Sequence, residues 1–350
     1  MTASTRPAIH LRQPGELLAA VPHLLGFHPV DSLVLVTHRG PERTSVGLTL
    51  RTTLPPAEHY EAVARQLLEP VLRHAATGVT LVVIGSGPDD PQPDLPGTLP
   101  GRELIELLWP EFTAAGVPVL HALWAPATRS GQPWCCYLDR DCHGEVPDPE
   151  SSVLAAASAV TGVVTYRSRE ELAALLGPDD ADAIARRAAM LEEAALASQA
   201  TGETISLPDK VAHVMASIAA GASAGTTLSD EIVVRLAREL SDHQVRDACL
   251  LSAGPEQAMA AEWLWAALTR MTPAPERAEA ACLLAVSAYL RGDGALAGVA
   301  LECAEEADPG HQLTSLLRQV QQAGLPPDWL ASTLRRSVAM AKRSAAEGVG

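Results

Sequence analysis

The chain has 350 residues, enough for two domains, and 47% of them are hydrophobic, which excludes wholesale disorder. A net charge of −16 repels a nucleic-acid backbone, and 3% aromatics leave few platforms for stacking bases, so no nucleic acid is expected as partner. No apolar run approaches the roughly 18 residues of a membrane helix, no signal-peptide core opens the chain, and six scattered cysteines make no disulfide scaffold. A cytoplasmic protein without a membrane partner is the expectation.

Pro14 suits the first turn of a helix. Leu17, Leu18, Val21, Leu24 and Leu25 then repeat at helical spacing up to Gly26, a C-cap residue. Pro22 predicts a kink or two short turns. His28-Pro29 must be extended or turned, and Leu33 to Val36 reads as a central strand. Ser45 to Arg51 is a second strand, close enough to form a hairpin with the first. Glu58 to Ala76 is an amphipathic helix interrupted at Pro70, followed by a strand from Val79 to Ile84; strand, helix, strand is the unit that makes parallel neighbours. Gly85-Ser-Gly-Pro88 matches neither a Walker nor a dinucleotide pattern, and Asp89, Asp90 and Asp94 would repel a phosphate, so a solvated loop is expected.

Arg102 to Ala115 is a helix ended by Gly116. Val117 to Trp124 and Trp134 to Leu138 are strands joined by a longer hairpin loop around Gly131. Ser151 to Val160 reads as a helix, Val163 to Tyr166 as an edge strand, and Ser168-Arg-Glu-Glu171 as a capping box. After Gly177-Pro178 the pattern is helical throughout: 182–199, 206–220, 229–240, a capped helix from Ser241 to Leu251, 257–271 with Trp263 and Leu264 packed, 278–290, 295–307, 312–323 and 327–345. The fold class is therefore an α/β domain, a mixed sheet with flanking helices, over 9–177, followed by an all-α domain of antiparallel hairpins over 179–345. Leu284, Ala285, Ala297, Leu301, Ala304 and Pro309 fall at tetratricopeptide-like spacing in one unit; an ordinary helical hairpin has the same features.

Leu24-Leu-Gly-Phe-His-Pro-Val-Asp-Ser-Leu-Val-Leu-Val36 resembles the opening signature of an actinobacterial family known as domain of unknown function 4192. Further matches are Trp134, Tyr137, Gly144 to Pro147 and Tyr166 to Leu172, so the resemblance runs over most of the chain. The family tends to carry a Cys-rich segment near the Trp and Tyr; here Cys142-His143 stands where a second Cys pair is expected. The resemblance implies no activity.

Two sets of residues are candidate sites. His23, His28, Asp31 and Ser32 could line a pocket, with a carboxylate and an imidazole for acid–base work. The same Asp and Ser also serve ordinary turn chemistry. Cys135, Cys136, Cys142 and His143 are ligand types that zinc prefers, but neighbours on a strand point to opposite faces, which would leave three ligands at most. Buried cysteines that pack are the plainer alternative. No enzyme motif of a familiar class is present, so an adaptor or regulator holding a protein partner through its helical half is the leading expectation. An enzyme or small-molecule site at the sheet rim near His28 and Asp31, and a structural zinc site near Cys142, are the alternatives.

Overall fold

The computed structural model describes residues 13–43, 45–85, 99–152, 154–157, 164–201, 205–221, 228–250 and 257–347. The loop expected beyond Gly85, the end of the helix expected at Val160, Val163 and the loop expected beyond Gly221 lie outside them. The chain forms two compact units, Met1–Glu171 and Leu172–Gly350.

In the first unit, helix α1 (Pro14–Leu25) leads into β1 (Ser32–Arg39), β2 (Ser45–Thr53), α2 (Tyr60–Arg73), β3 (Gly78–Ile84), α3 (Arg102–Ala114), β4 (Val119–Ala125), β5 (Pro133–Cys136) and β6 (His143–Glu145). The strands form one six-stranded sheet in the order β2-β1-β3-β4-β5-β6. Only β3 and β4 run parallel; each of the other neighbours is antiparallel. The hairpin β1–β2 is as the short link predicts. β2 and β3, however, are not neighbours: α2 carries the chain past β1, which sits between them and pairs with both. Strand–helix–strand spacing sets relative direction but does not forbid an intervening strand.

Side-chain alternation divides the core between the two faces of the sheet. Leu33 and Leu35 of β1, with Val79, Leu81 and Val83 of β3, pack against Leu67 and Val71 of α2 and Leu104, Leu108 and Phe112 of α3. Val34, Val36, Val82 and Ile84 face the other way, against Leu17, Leu18 and Val21 of α1. A fully buried side chain of this size contributes about 1.5–3 kcal/mol, so the three layers hold each other.

α1 runs as one helix through Pro22, not as two short turns, and α2 runs on through Pro70. Gly26 caps α1 in the left-handed region at φ 79, and a Cβ there would touch nothing within 4 Å. Gly26→Ala therefore adds backbone strain without a clash, and is expected to cost about 1 kcal/mol, read as a lower midpoint in urea unfolding. Beyond it, Phe27 makes a parallel bridge with Tyr166, in place of the edge strand expected there. β6, which the sequence pattern did not reveal, is only three residues long.

The second unit contains α5 (Ala181–Thr201), α6 (Leu207–Gly221), α7 (Asp230–Leu240), α8 (His243–Cys249), α9 (Ala258–Met271), α10 (Arg277–Arg291), α11 (Gly294–Ala307), α12 (Gln312–Gln322) and α13 (Pro327–Glu347). The short helix α4 (Arg169–Ala174) precedes them and is capped by Ser168, whose Oγ accepts the Glu171 N–H at 3.2 Å. α10 is the central element and packs against α7, α8, α9, α11, α12 and α13. A solenoid repeat touches only its neighbours, whereas α10 is surrounded. In α9 Leu264 is buried as expected, but the buried indole is Trp265, and Trp263 stays 39% exposed. α8 is capped by Asp242, which accepts the Gln244 N–H, and not by Ser241, whose hydroxyl donates to Ala237 O.

Candidate functional site

The rim of the sheet where β3 and β4 end also receives the start of β1 and the end of β2. In open α/β sheets ligands bind outside the carboxyl ends of parallel strands, which makes this the rim to inspect. His28 reaches it from the turn after α1, with Nδ1 3.0 Å from the Oγ1 of buried Thr128 in the loop after β4. Burial lowers the His28 pKa, and the Arg129 cation and His23 lower it further, so the ring is neutral at pH 7. His23, in the last turn of α1, spends both nitrogens on structure: Nε2–H donates to Pro149 O at 3.0 Å and Nδ1 lies 2.9 Å from Thr165 Oγ1.

Asp31 and Ser32 belong to a different knot of contacts. Asp31 has φ 41, and its carbonyl accepts the Leu54 N–H at 2.8 Å. Its carboxylate lies beside Gly85 at the end of β3, 3.0 Å from where a Cβ would stand. Ser32 is fully buried; its hydroxyl donates to Val30 O at 2.7 Å and accepts from Arg51 Nε at 2.8 Å. A hydroxyl held on both sides and closed to solvent cannot act as a nucleophile. The four residues thus share a rim, but the described hydrogen bonds do not join them into one network.

The cysteine segment is separated by the pleat. Cys135 pairs across with His143, and its side chain joins the core under α2 and α3. Cys136 and Cys142 project to the opposite face, with Cys136 in the core under α1 and Cys142 packed against it. Two ligands on each side of a sheet cannot close around one ion. Among the described residues no three His, Cys, Asp or Glu side chains come together as a metal site.

Two groupings escaped the sequence reading. His121 of β4 shares the face of Cys136; burial raises the Cys136 thiol, but His121 and nearby backbone groups outweigh it and hold its pKa below the ordinary value. In the helical unit, Glu279 and Cys282 stand one turn apart on α10 and meet His311, the residue before α12. His311 Nε2 lies 3.2 Å from Glu279 Oε2, and its Nδ1 lies 3.4 Å from Cys282 Sγ and 2.7 Å from Thr314 Oγ1. Arg246 Nη1 of α8 adds a bond to Glu279 Oε2 at 3.0 Å. The order thiol, imidazole, carboxylate is that of a nucleophilic triad. Cys282 is wholly enclosed, so no substrate reaches its sulfur and the grouping locks three helices together.

Two clefts among the described residues bear on a binding site. One of about 240 Å³ lies beside α3, lined by Arg102, Ile105, Glu106, Trp109, Tyr137 and Leu138; it is below the range of ordinary ligand sites. The other, about 430 Å³, lies between α5, the end of α7 and the turn Pro273–Glu276. Its floor is apolar (Ala188, Leu191, Pro273) and its edge is charged (Glu192, Arg238, Glu276).

These features define a mixed-sheet α/β protein with a separate helical unit and no assembled catalytic constellation open to solvent among the described residues. The chain belongs to the family described as Domain of unknown function (DUF4192), whose model matches residues 14–328. No curated protein and no solved structure matches it. Among the described residues no helix is long and apolar enough to cross a membrane.

Proposed function

We propose that this protein is an adaptor whose helical unit holds a protein partner in the cleft between α5 and the Pro273–Glu276 turn. The observation that carries this reading is the cleft itself, an apolar floor with a charged edge on a weakly covered helix. α5 has 21 residues, and of these only Arg187 and Leu191 are buried. Leu196 on the same helix is 67% exposed. Such a surface suits an apolar segment of a partner, with Arg238 and the two glutamates selecting its charges.

Ala195 lines the cleft and is exposed, so Ala195→Arg fills the cleft without disturbing the core. Affinity capture with the full chain should recover a stoichiometric partner, and Ala195→Arg should weaken its retention about tenfold, equivalent to about 1.4 kcal/mol. A partner held equally well by both chains would sink the reading.

A second reading, a small-molecule site at the sheet rim, is favoured by the topology that brings neutral His28 and Asp31 to the carboxyl ends of β3 and β4. It requires a ligand whose binding is weakened by His28→Ala.

A further inference from the structure

The antiparallel register of β5 and β6 pairs Pro133 with Glu145, Trp134 with Gly144 and Cys135 with His143. One step further it places Cys136 opposite Cys142, and the Cys136 N–H donates to Cys142 O at 2.9 Å. Directly opposed residues project to the same face, with Cα atoms about 5.5 Å apart in a hydrogen-bonded pair. A disulfide needs about 4.4–6.8 Å between its Cα atoms. Burial, and Cys136 beside it, push the Cys142 thiol up to about 11. Cys142 is partly exposed at the turn, Cys136 is buried, and His121, two residues before the Leu123 that pairs with Cys136, lies on the same face and helps to hold the Cys136 thiol below its ordinary value. Cys135, adjacent in sequence, is out of reach on the opposite face.

We propose that Cys136 and Cys142 form a reversible dithiol–disulfide pair, oxidised by a low-molecular-weight disulfide and positioned by His121. The small thiolate fraction of the partly exposed Cys142, whose thiol burial holds up at about 11, attacks one sulfur of the incoming disulfide, and the first small thiol leaves. The Cys136 thiolate, its proton accepted by His121, then attacks the Cys142 sulfur and displaces the second small thiol. One disulfide is reduced to two thiols, one protein disulfide forms, and the two protein protons end on the leaving thiols. The His121 contact favours the Cys136 thiolate, which suits it to the closing step. The bond would tie β5 to β6 across the turn 137–141.

The test uses the full chain. After incubation with glutathione disulfide and alkylation, peptide mass spectrometry should find Cys136 linked to Cys142, with the loss of two hydrogens, reversed by dithiothreitol. Cys142→Ser should abolish the link, and Cys135→Ser should leave it intact. His121→Gln should slow the closing step and let the glutathione adduct accumulate on Cys142, an effect a merely structural substitution would not produce. The proposal is overturned if both thiols remain alkylatable at equilibrium, if Cys135 and Cys136 are linked instead, or if the purified protein carries stoichiometric zinc on these thiols.

Discussion

Replacing Arg187 with leucine is expected to destabilise the helical unit by about 1–3 kcal/mol, the cost of removing a charged donor from partly buried acceptors. The Arg187 side chain is 6% exposed, and its Nε donates to Asp230 at 2.7 Å. Its Nη1 donates to Asp179 at 3.1 Å and to the Met271 carbonyl at 3.0 Å. The guanidinium therefore ties α5 to the start of α7, the end of α9 and the segment before α5. Beyond it, the core that α5 shares with α7 is small: Leu191 with Val234 and Ala237, and Met190 at the edge. Leucine would bury apolar surface in its place but leave Asp179 and the Met271 carbonyl without this donor, and Asp230 with Arg186 alone. Lysine should recover little, because a single ammonium cannot reproduce the fork. Hydrogen exchange resolved by peptide is the appropriate measurement: protection should fall first in α5 and α7. Unchanged protection there would show that the ion pairs are dispensable.

Glu279→Gln is expected to cost about 2–3 kcal/mol at pH 7, since Gln keeps the shape but loses two charged hydrogen bonds. The pH profile makes the prediction sharper. The Cys282 and Glu279 hydrogen bonds push His311 up to about 10, with Arg246 also facing its ring at 3.4 Å. A histidine whose folded pKa is raised adds stability that is fully present below about 6.5, its unfolded value, and is lost as pH rises through the folded value. Glu279 shifts the opposite way: burial opposes its ionisation, but His311 and Arg246 outweigh burial and lower its pKa. That contribution is present above the ordinary Glu range and is lost as pH falls through the depressed value. Wild-type protection of α10 and α12 should therefore decline as pH rises from about 6.5 towards 10, and again in acid. In Glu279→Gln the acid limb should flatten, and the alkaline decline should be smaller and end at lower pH, because His311 loses the carboxylate that raises it. A variant with the wild-type profile on both limbs would remove the network from any account of stability.

Local signals were sufficient where neighbours in sequence decide the outcome. Pro14 and Gly26 mark the ends of α1 through their own backbone limits, and the link between β1 and β2 is too short for anything but a hairpin. The alternation in Leu33 to Val36 identifies a strand buried on both faces, whatever lies against it. The division into a sheet unit and a helical unit follows from the same local patterns, because strand and helix periods differ.

What only the tertiary structure decided depends on partners distant in the chain. Nothing local to α2 states that β1 will lie between β2 and β3. Trp263 and Trp265 are equally apolar, and which one is buried depends on how α9 sits against α10. The rim candidates divided for the same reason: His28 found Thr128, a hundred residues on, and Ser32 was consumed by Arg51. Cys136 and Cys142 became a pair only through the register of β6, a three-residue strand too short for alternation to reveal. His311 met Glu279 and Cys282 because a helical bundle brings the start of one helix against the flank of another. Periodicity reports which face of an element is apolar; it contains no term for which polar groups that burial will bring within hydrogen-bond distance.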